Sequence, residues 1–444
     1  MDRTIAPISG EQPIFTFPAN ECRVLSNGMH VLFLHDASSP LISISLTMRL
    51  GAIHEGISGL SRACAGLMMT GTSTKTAKDI NLLIDRLGIS FSYAAAWDSF
   101  ECTSIGLADH RNAIIDLMAE TLFDSQFHES EIALKKDLML ADHEQYAVDP
   151  EYLASRAMSS RLFGKHPYGS SRLGTPASIE QINQASCKEW HSKILNTPQA
   201  FFTIAGNCQP DEMMSLLENI FGAWNPKGNV PEIEQAEYHD DMKCIIAPKQ
   251  DAVQTALNIA FPTIGIHHPD YALHRIASTA FGGYFASRIN HTLREQYGYT
   301  YGAFAQINGR KGANVYTIQT QIGNDVTAHG IELIFEELQK MREFPLKEDE
   351  FETVRNYVLG TMIQGMETYQ QISSRMKMLE FNQLSKSYHA NVFDTIAKAD
   401  ISDVFKIQQA YFKPSHCVIS ASGAQEILTP ILENYGETII FQEA

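Results

Sequence analysis

A His-Glu-x-x-His run on a helix sets two imidazoles on one face, four residues apart, where they can share a metal ion. The intervening glutamate can then take a proton from metal-bound water. Two places begin that run, His54-Glu55 and His143-Glu144, and both fail at its last position, occupied by Ser58 and Ala147. His267, His268 and His274 lie close together without a carboxylate at a matching spacing, so they are expected at the surface or as turn caps. The 16 histidines therefore spell no complete metal site of this kind. The seven cysteines, from Cys22 to Cys417, are odd in number and include no Cys-x-x-Cys pair, which predicts reduced thiols in a reducing compartment.

The elements that carry these residues come from a chain of 444 residues, enough for two large domains or up to four small ones. Hydrophobic residues at 44% and charged residues at 19% are ordinary for a chain that folds throughout. A net charge of −17 sets up a field that repels nucleic acid and anionic membranes, and neither is expected as a partner. No apolar run approaches the ~18 residues of a membrane span, and the first residues show no secretory pattern, so a cytoplasmic protein is expected.

The chain also repeats itself. Residues 41–50 alternate as a half-buried strand, followed by a helix-like stretch to about residue 88; residues 253–261 and 270–297 present the same order. A strand over 100–107 and a helix carrying Ile114, Leu117, Met118 and Leu122 are answered by a strand over 315–322 and a helix carrying Ile331, Ile334, Leu338 and Met341. Phe201–Gly206 and Cys417–Gly423 are both apolar strands stopped by glycine. Each half mixes strands and helices, an α+β unit used twice. The expected division is a first domain over 1–224, an exposed Pro/Gly-rich linker over 225–241 and a second domain over 242–444, facing each other across a cleft where ligands are held.

Four segments resemble the pitrilysin-like, or M16, metallopeptidases: Leu-Ser-Asn-Gly-Met at 25–29; the frame Gly59-Leu60 to Gly71-Thr72; His-Pro-Tyr-Gly at 166–169 with Leu-Gly-Thr at 173–175; and the run from Phe281 to Tyr301. The resemblance implies two homologous α/β-sandwich halves of the LuxS/metallohydrolase-like type. It also implies a zinc motif, His-x-x-Glu-His, inside the second segment. Those positions hold Arg62, Ala65 and Gly66, none of which can serve as ligand or base. The family's distal ligand falls at Asp142, His143 or Glu144, with the register open among the three. No cofactor is expected in this chain.

The last segment is intact. By the resemblance, Arg294 and Tyr301 are the family's substrate-anchoring and oxyanion-supporting pair, and Gly282-Gly283 a glycine-rich loop that touches substrate. The bland alternatives are an ion-paired Arg294 at a helix end, a Tyr301 filling a strand and a glycine pair that only permits close packing. The strand region 91–107 corresponds either to the family's substrate-binding sheet edge or to an ordinary core hairpin. His166 and Tyr168 are expected to fix a loop. Together these imply a non-catalytic subunit that lends Arg294 and Tyr301 in trans to a zinc-bearing M16 partner acting on extended peptides. A scaffold protein, or a peptide-binding homodimer working without a partner, is the alternative.

Overall fold

The computed structural model describes residues 15–18, 20–238, 242–413 and 416–442. Twelve strands form two six-stranded sheets. The first contains β1 (Glu21–Val24), β2 (His30–His35), β3 (Leu41–Met48), β4 (Ser90–Ala95), β5 (Phe100–Leu107) and β6 (Phe201–Gly206), in the order β1-β2-β6-β3-β5-β4. The second contains β7 (Lys243–Pro248), β8 (Gln254–Pro262), β9 (Ala303–Arg310), β10 (Ala313–Gly323), β11 (Val418–Gly423) and β12 (Glu437–Ile440), in the order β12-β7-β11-β8-β10-β9. The orders correspond strand for strand. β2 and β6 run parallel, as do β7 and β11, and the pairs inward of them are antiparallel in both sheets. Only the outermost strand differs, β1 lying antiparallel to β2 and β12 parallel to β7.

One face of each sheet packs on helices of its own half. Ile42, Ile44, Leu46 and Met48 of β3 enter the first core, and Leu257, Ile259 and Phe261 of β8 enter the second. The other face is covered by a helix from the opposite half. Helix Tyr369–Phe381 lies on β3 and β6, where Ile372 and Met376 pack against Leu32, Leu34 and Phe201. Helix Pro150–Phe163 lies on β7, β8 and β11, where Ala157 and Met158 pack against Ile245, Ala260 and Val418. Small hydroxyl residues let these helices approach: Ser420 donates to the Ala154 carbonyl at 2.7 Å, and the Thr203 and Ser373 hydroxyls meet at 2.7 Å. The alternation in β3 predicts a polar, solvated face, yet Ser43, Ser45 and Thr47 are buried. The period-2 pattern separates two covered faces, one apolar and one hydroxyl-lined, and does not separate core from solvent.

The stretch expected as an exposed linker is exposed or half-buried along its described part except at Ala236, and it is also tied to the second half. Ala236 N–H donates to the Gly312 carbonyl at 2.8 Å, and the Tyr238 hydroxyl accepts from Asn314 N–H at 3.1 Å. Ile233, Ala236 and Tyr238 join Phe163 and Tyr168 in the seam between the halves. Residues 239–241 lie outside the described residues. All seven cysteines are free. His268 caps a turn, its Nδ1 accepting from Asp270 N–H at 3.1 Å, as expected. His274 does not follow that expectation. It is fully buried among Tyr316, Tyr411 and Phe412, with Nε2 2.7 Å from the Thr263 hydroxyl, and burial pushes its pKa down to about 4.

Two expectations follow. The three tryptophans, Trp97, Trp190 and Trp224, all belong to the first half, whereas Met376 comes from the second. Met376→Ala should lower the stability reported by tryptophan fluorescence in urea by about 2–5 kcal/mol, the cost of a large-to-small change in a packed core. An unmoved transition would mean that the helix does not cover the first sheet in solution. Because His274 stays neutral in the folded chain while the unfolded chain takes up a proton near pH 6.5, its contribution is complete above that pH. It is lost as pH falls towards 4, by about 3 kcal/mol in all. Stability measured from pH 7.5 to 4.5 should fall less steeply in His274→Gln.

Candidate functional site

The positions of the missing zinc motif lie on helix Leu60–Leu67. Its start is fixed by Gly59, whose φ of 87° is left-handed, and by Glu55, whose two carboxylate oxygens accept the Gly59 and Ser61 N–H groups at 2.7 Å each. Burial raises the Glu55 pKa despite these bonds. Helix Glu129–Tyr146 packs alongside and supplies what stands in place of a metal. Arg62 Nη2 lies 2.6 Å from Asp142 Oδ2, so of the three candidates for the distal position Asp142 is the one that faces Arg62. Lys135 reaches beside Gly66: a Cβ at Gly66 would fall 2.8 Å from the Lys135 Nζ. A guanidinium and an ammonium therefore occupy the region a dication would need. Zinc does not fit this donor set, since a cationic arginine, an alanine and a glycine leave one carboxylate, already paired. Among the described residues no three His, Cys, Asp or Glu side chains converge elsewhere.

This region opens into a cavity of about 650 Å³ walled by Arg62, Lys135 and Trp97 and by Ala94 and Ala95 of the edge strand β4. The strand region 91–107 is thus both things the sequence allowed, a hairpin whose β5 is internal and whose β4 is the sheet edge. The cavity shares Ser155, Ser159 and Arg310 with a second one beside helix Pro150–Phe163. That one shares Asn258 and Gln319 with a third around Tyr301. One trough therefore runs from the altered metal position in the first half to Tyr301 in the second.

The intact segment folds irregularly. Helix Tyr271–Ser278 runs into a π-helical turn, Thr279–Gly283, and Arg288–Asn290 into another, His291–Gln296. Arg288 grips Glu350 through two bonds of 2.7 and 2.8 Å, and Asn290 Oδ1 accepts the Ala303 N–H at 2.8 Å, which anchors the segment at its middle. Arg294 stacks on Phe285 at 4.3 Å and pairs with Glu295 at 3.1 Å. Tyr301 fills no strand: it stands in the loop before β9 with 94% of its surface exposed. Gly282 is a packing glycine, because a Cβ there would lie 2.5 Å from the Ala305 Cβ across β9, while Gly283 faces outward. His166 and Tyr168 fix their loop, His166 Nδ1 accepting the Tyr168 N–H and the Tyr168 hydroxyl donating to Asp98 at 2.6 Å.

Sequence reading pointed to Arg62 but not to Lys135, Arg156, Arg172 or Arg310, which reach the same cavity from four other segments. No local spacing links them; the packing of helix Glu129–Tyr146 on helix Leu60–Leu67, the helix exchange and the β9–β10 turn bring them together. Rebuilding the metal site should expose Lys135. Arg62→His, Ala65→Glu and Gly66→His combined should bind zinc at least about tenfold more tightly, by competition with a chelating dye, when Lys135→Ala is added. Equal affinity with and without Lys135 would show that its ammonium does not oppose a metal there.

Residues 30–176 match the family described as Insulinase (Peptidase family M16), and residues 181–358 match the Peptidase M16 inactive domain. An uncharacterized zinc protease YmxG of Bacillus subtilis is 23% identical over 83% of this chain and 89% of its own length. A Helicobacter pylori protein described as a non-peptidase homolog, also YmxG, is 24% identical over 72% of this chain and 73% of its own. The crystal structure of a peptidase M16 inactive domain from Pseudomonas fluorescens superposes with a TM-score of 0.84 at 22% identity, covering 91% of this chain and 98% of that one. With its paired sheets, its altered zinc motif held in register and both of its halves matched, the chain belongs to the M16 peptidase family.

Proposed function

We propose that this chain is the non-catalytic subunit of a two-subunit M16 peptidase. A separate subunit with an intact His-x-x-Glu-His helix supplies zinc and general base, and this chain lends Arg294 and Tyr301 to extended peptides held between the two. The observation that carries the reading is the contrast between the two ends of the trough. At one end an ion pair and a lysine stand where a metal would be. At the other a tyrosine stands 94% exposed, seven residues after an arginine whose one ion pair among the described residues is with its exposed neighbour Glu295. A phenol this exposed takes no part in the core, and its hydroxyl is open to a peptide that comes against it. Arg294 offers directed, permanently charged donors to peptide carbonyls, with Phe285 holding the guanidinium plane. Tyr301 donates one hydrogen bond to an oxygen that gains negative charge during attack. The printed description of the Helicobacter pylori relative as a non-peptidase homolog agrees with a chain that does not cleave by itself.

Peptide hydrolysis should be absent with this chain alone, weak or absent with a zinc-bearing M16 partner alone, and restored in their mixture. Tyr301→Phe or Arg294→Ala should then lower the mixture's kcat about 10²–10³-fold without preventing association. If the partner is fully active alone and the mixture behaves no differently, the chain is a scaffold or a peptide binder instead.

A further inference from the structure

The cavity beside helix Leu60–Leu67 is lined by five cationic side chains, Arg62, Lys135, Arg156, Arg172 and Arg310, and by no Asp, Glu or His. That is unexpected in a chain carrying 51 acids against 34 bases. Asp142 neutralises one end of Arg62 from outside the lining, but Arg62 Nη1 is buried with no hydrogen-bond partner. Lys135, Arg172 and Arg310 form no ion pair among the described residues. Arg310 is held flat against Trp97 and Tyr168, each 4.7 Å from its guanidinium, and its Nη1 is likewise buried without a partner. Cations gathered round one cavity repel one another, and an anion that enters among them relieves that repulsion, so the cavity is arranged for a negatively charged group. Burial lowers the pKa of Lys135, Arg172 and Arg310. Repulsion from Arg62 adds to this at Lys135, whereas at Arg172 attraction from Glu55 exceeds the repulsion from Arg62, and at Arg310 attraction from Tyr168 and Asp98 exceeds the repulsion from Arg172.

The shape indicates what carries the anion. The outer edge of β4 is unpaired among the described residues, and Ala94 and Ala95, which end that strand, line the cavity with small side chains. An extended peptide added along β4 would find main-chain donors and acceptors there, and its next residues would lie over the cations. A nucleic acid or other polyanion is opposed by the −17 charge of the whole chain, whereas a single carboxylate meets only the local field. We infer that the altered metal position is a carboxylate-binding subsite, which holds the C-terminal carboxylate or an acidic side chain of an extended peptide paired to β4. The guanidinium groups of Arg62 and Arg310 provide directed donors and Lys135 a third charge. This subsite belongs to the chain alone and needs neither a partner subunit nor Arg294 and Tyr301.

The test uses the purified full-length chain and fluorescence anisotropy with three labelled versions of one uncharged eight-residue peptide: free C-terminus, C-terminal amide, and amide with one internal glutamate. At least one carboxylate-bearing version should bind about tenfold or more tightly than the neutral amide, and raised salt should reduce the difference. Lys135→Gln combined with Arg172→Gln, which removes two cations that form no ion pair among the described residues, should abolish the preference. Lys188→Gln, an exposed lysine outside the cavity, should leave it intact. A preference for the free terminus, the glutamate or both supports the subsite and identifies the source of the carboxylate. Equal affinity for all three peptides, no binding of either carboxylate-bearing peptide up to millimolar concentration, or an unchanged preference in the double variant overturns it. A failure of the two-subunit reading would leave every one of these outcomes unaffected.

Discussion

Each six-stranded sheet has two faces to cover, and the helices of its own half cover one. The other face is covered only by exchange, helix Pro150–Phe163 passing to the second sheet and Tyr369–Phe381 to the first. Everything at the site depends on that exchange. Helix Pro150–Phe163 floors the trough, brings Ser155, Arg156 and Ser159 to the altered metal position, and sets that position on one continuous surface with Tyr301. The described part of the stretch between the halves adds to this by pairing with the β9–β10 turn that carries Arg310 to the cavity.

The first half has changed the charge of its centre without changing its frame. Gly59 begins the helix in a left-handed turn, Glu55 satisfies its first N–H groups, and helix Glu129–Tyr146 brings the Asp142 carboxylate to Arg62. The cations at this centre are side chains of the chain itself. Arg62 and Lys135 answer Asp142 as a metal would in charge, yet neither can polarise a bound water as a Lewis acid does. The excess of positive charge over Asp142 is what makes the cavity a feature distinct from a filled-in relic.

Much of this was legible in the sequence, for identifiable reasons. The repeat is carried by periodicities that tertiary packing does not alter, so β5, β6 and β8 fall where the pattern puts them. The blank register at Arg62, Ala65 and Gly66 could be read because glycines and a leucine bracket it. The polar face of β3 could not be read correctly, because Ser43, Ser45 and Thr47 look solvated until a helix from more than 300 residues away is known to lie on them. Lys135 was invisible for a related reason: its relation to Gly66 is a contact between two helices and leaves no spacing to recognise. His274 reads as one of three neighbouring histidines, and only the aromatic rings that close over it separate it from His268.

The helix exchange also sets an order of events during synthesis. β6 completes the first sheet by residue 206, but the helix that shields that sheet's second face is not made until residues 369–381. For the whole interval Leu32, Leu34 and Phe201 are exposed on a growing chain. A ribosome adding ~5–20 residues per second takes on the order of ten seconds or more to cross that gap. The first half therefore carries an uncovered apolar face until the second half arrives to close it.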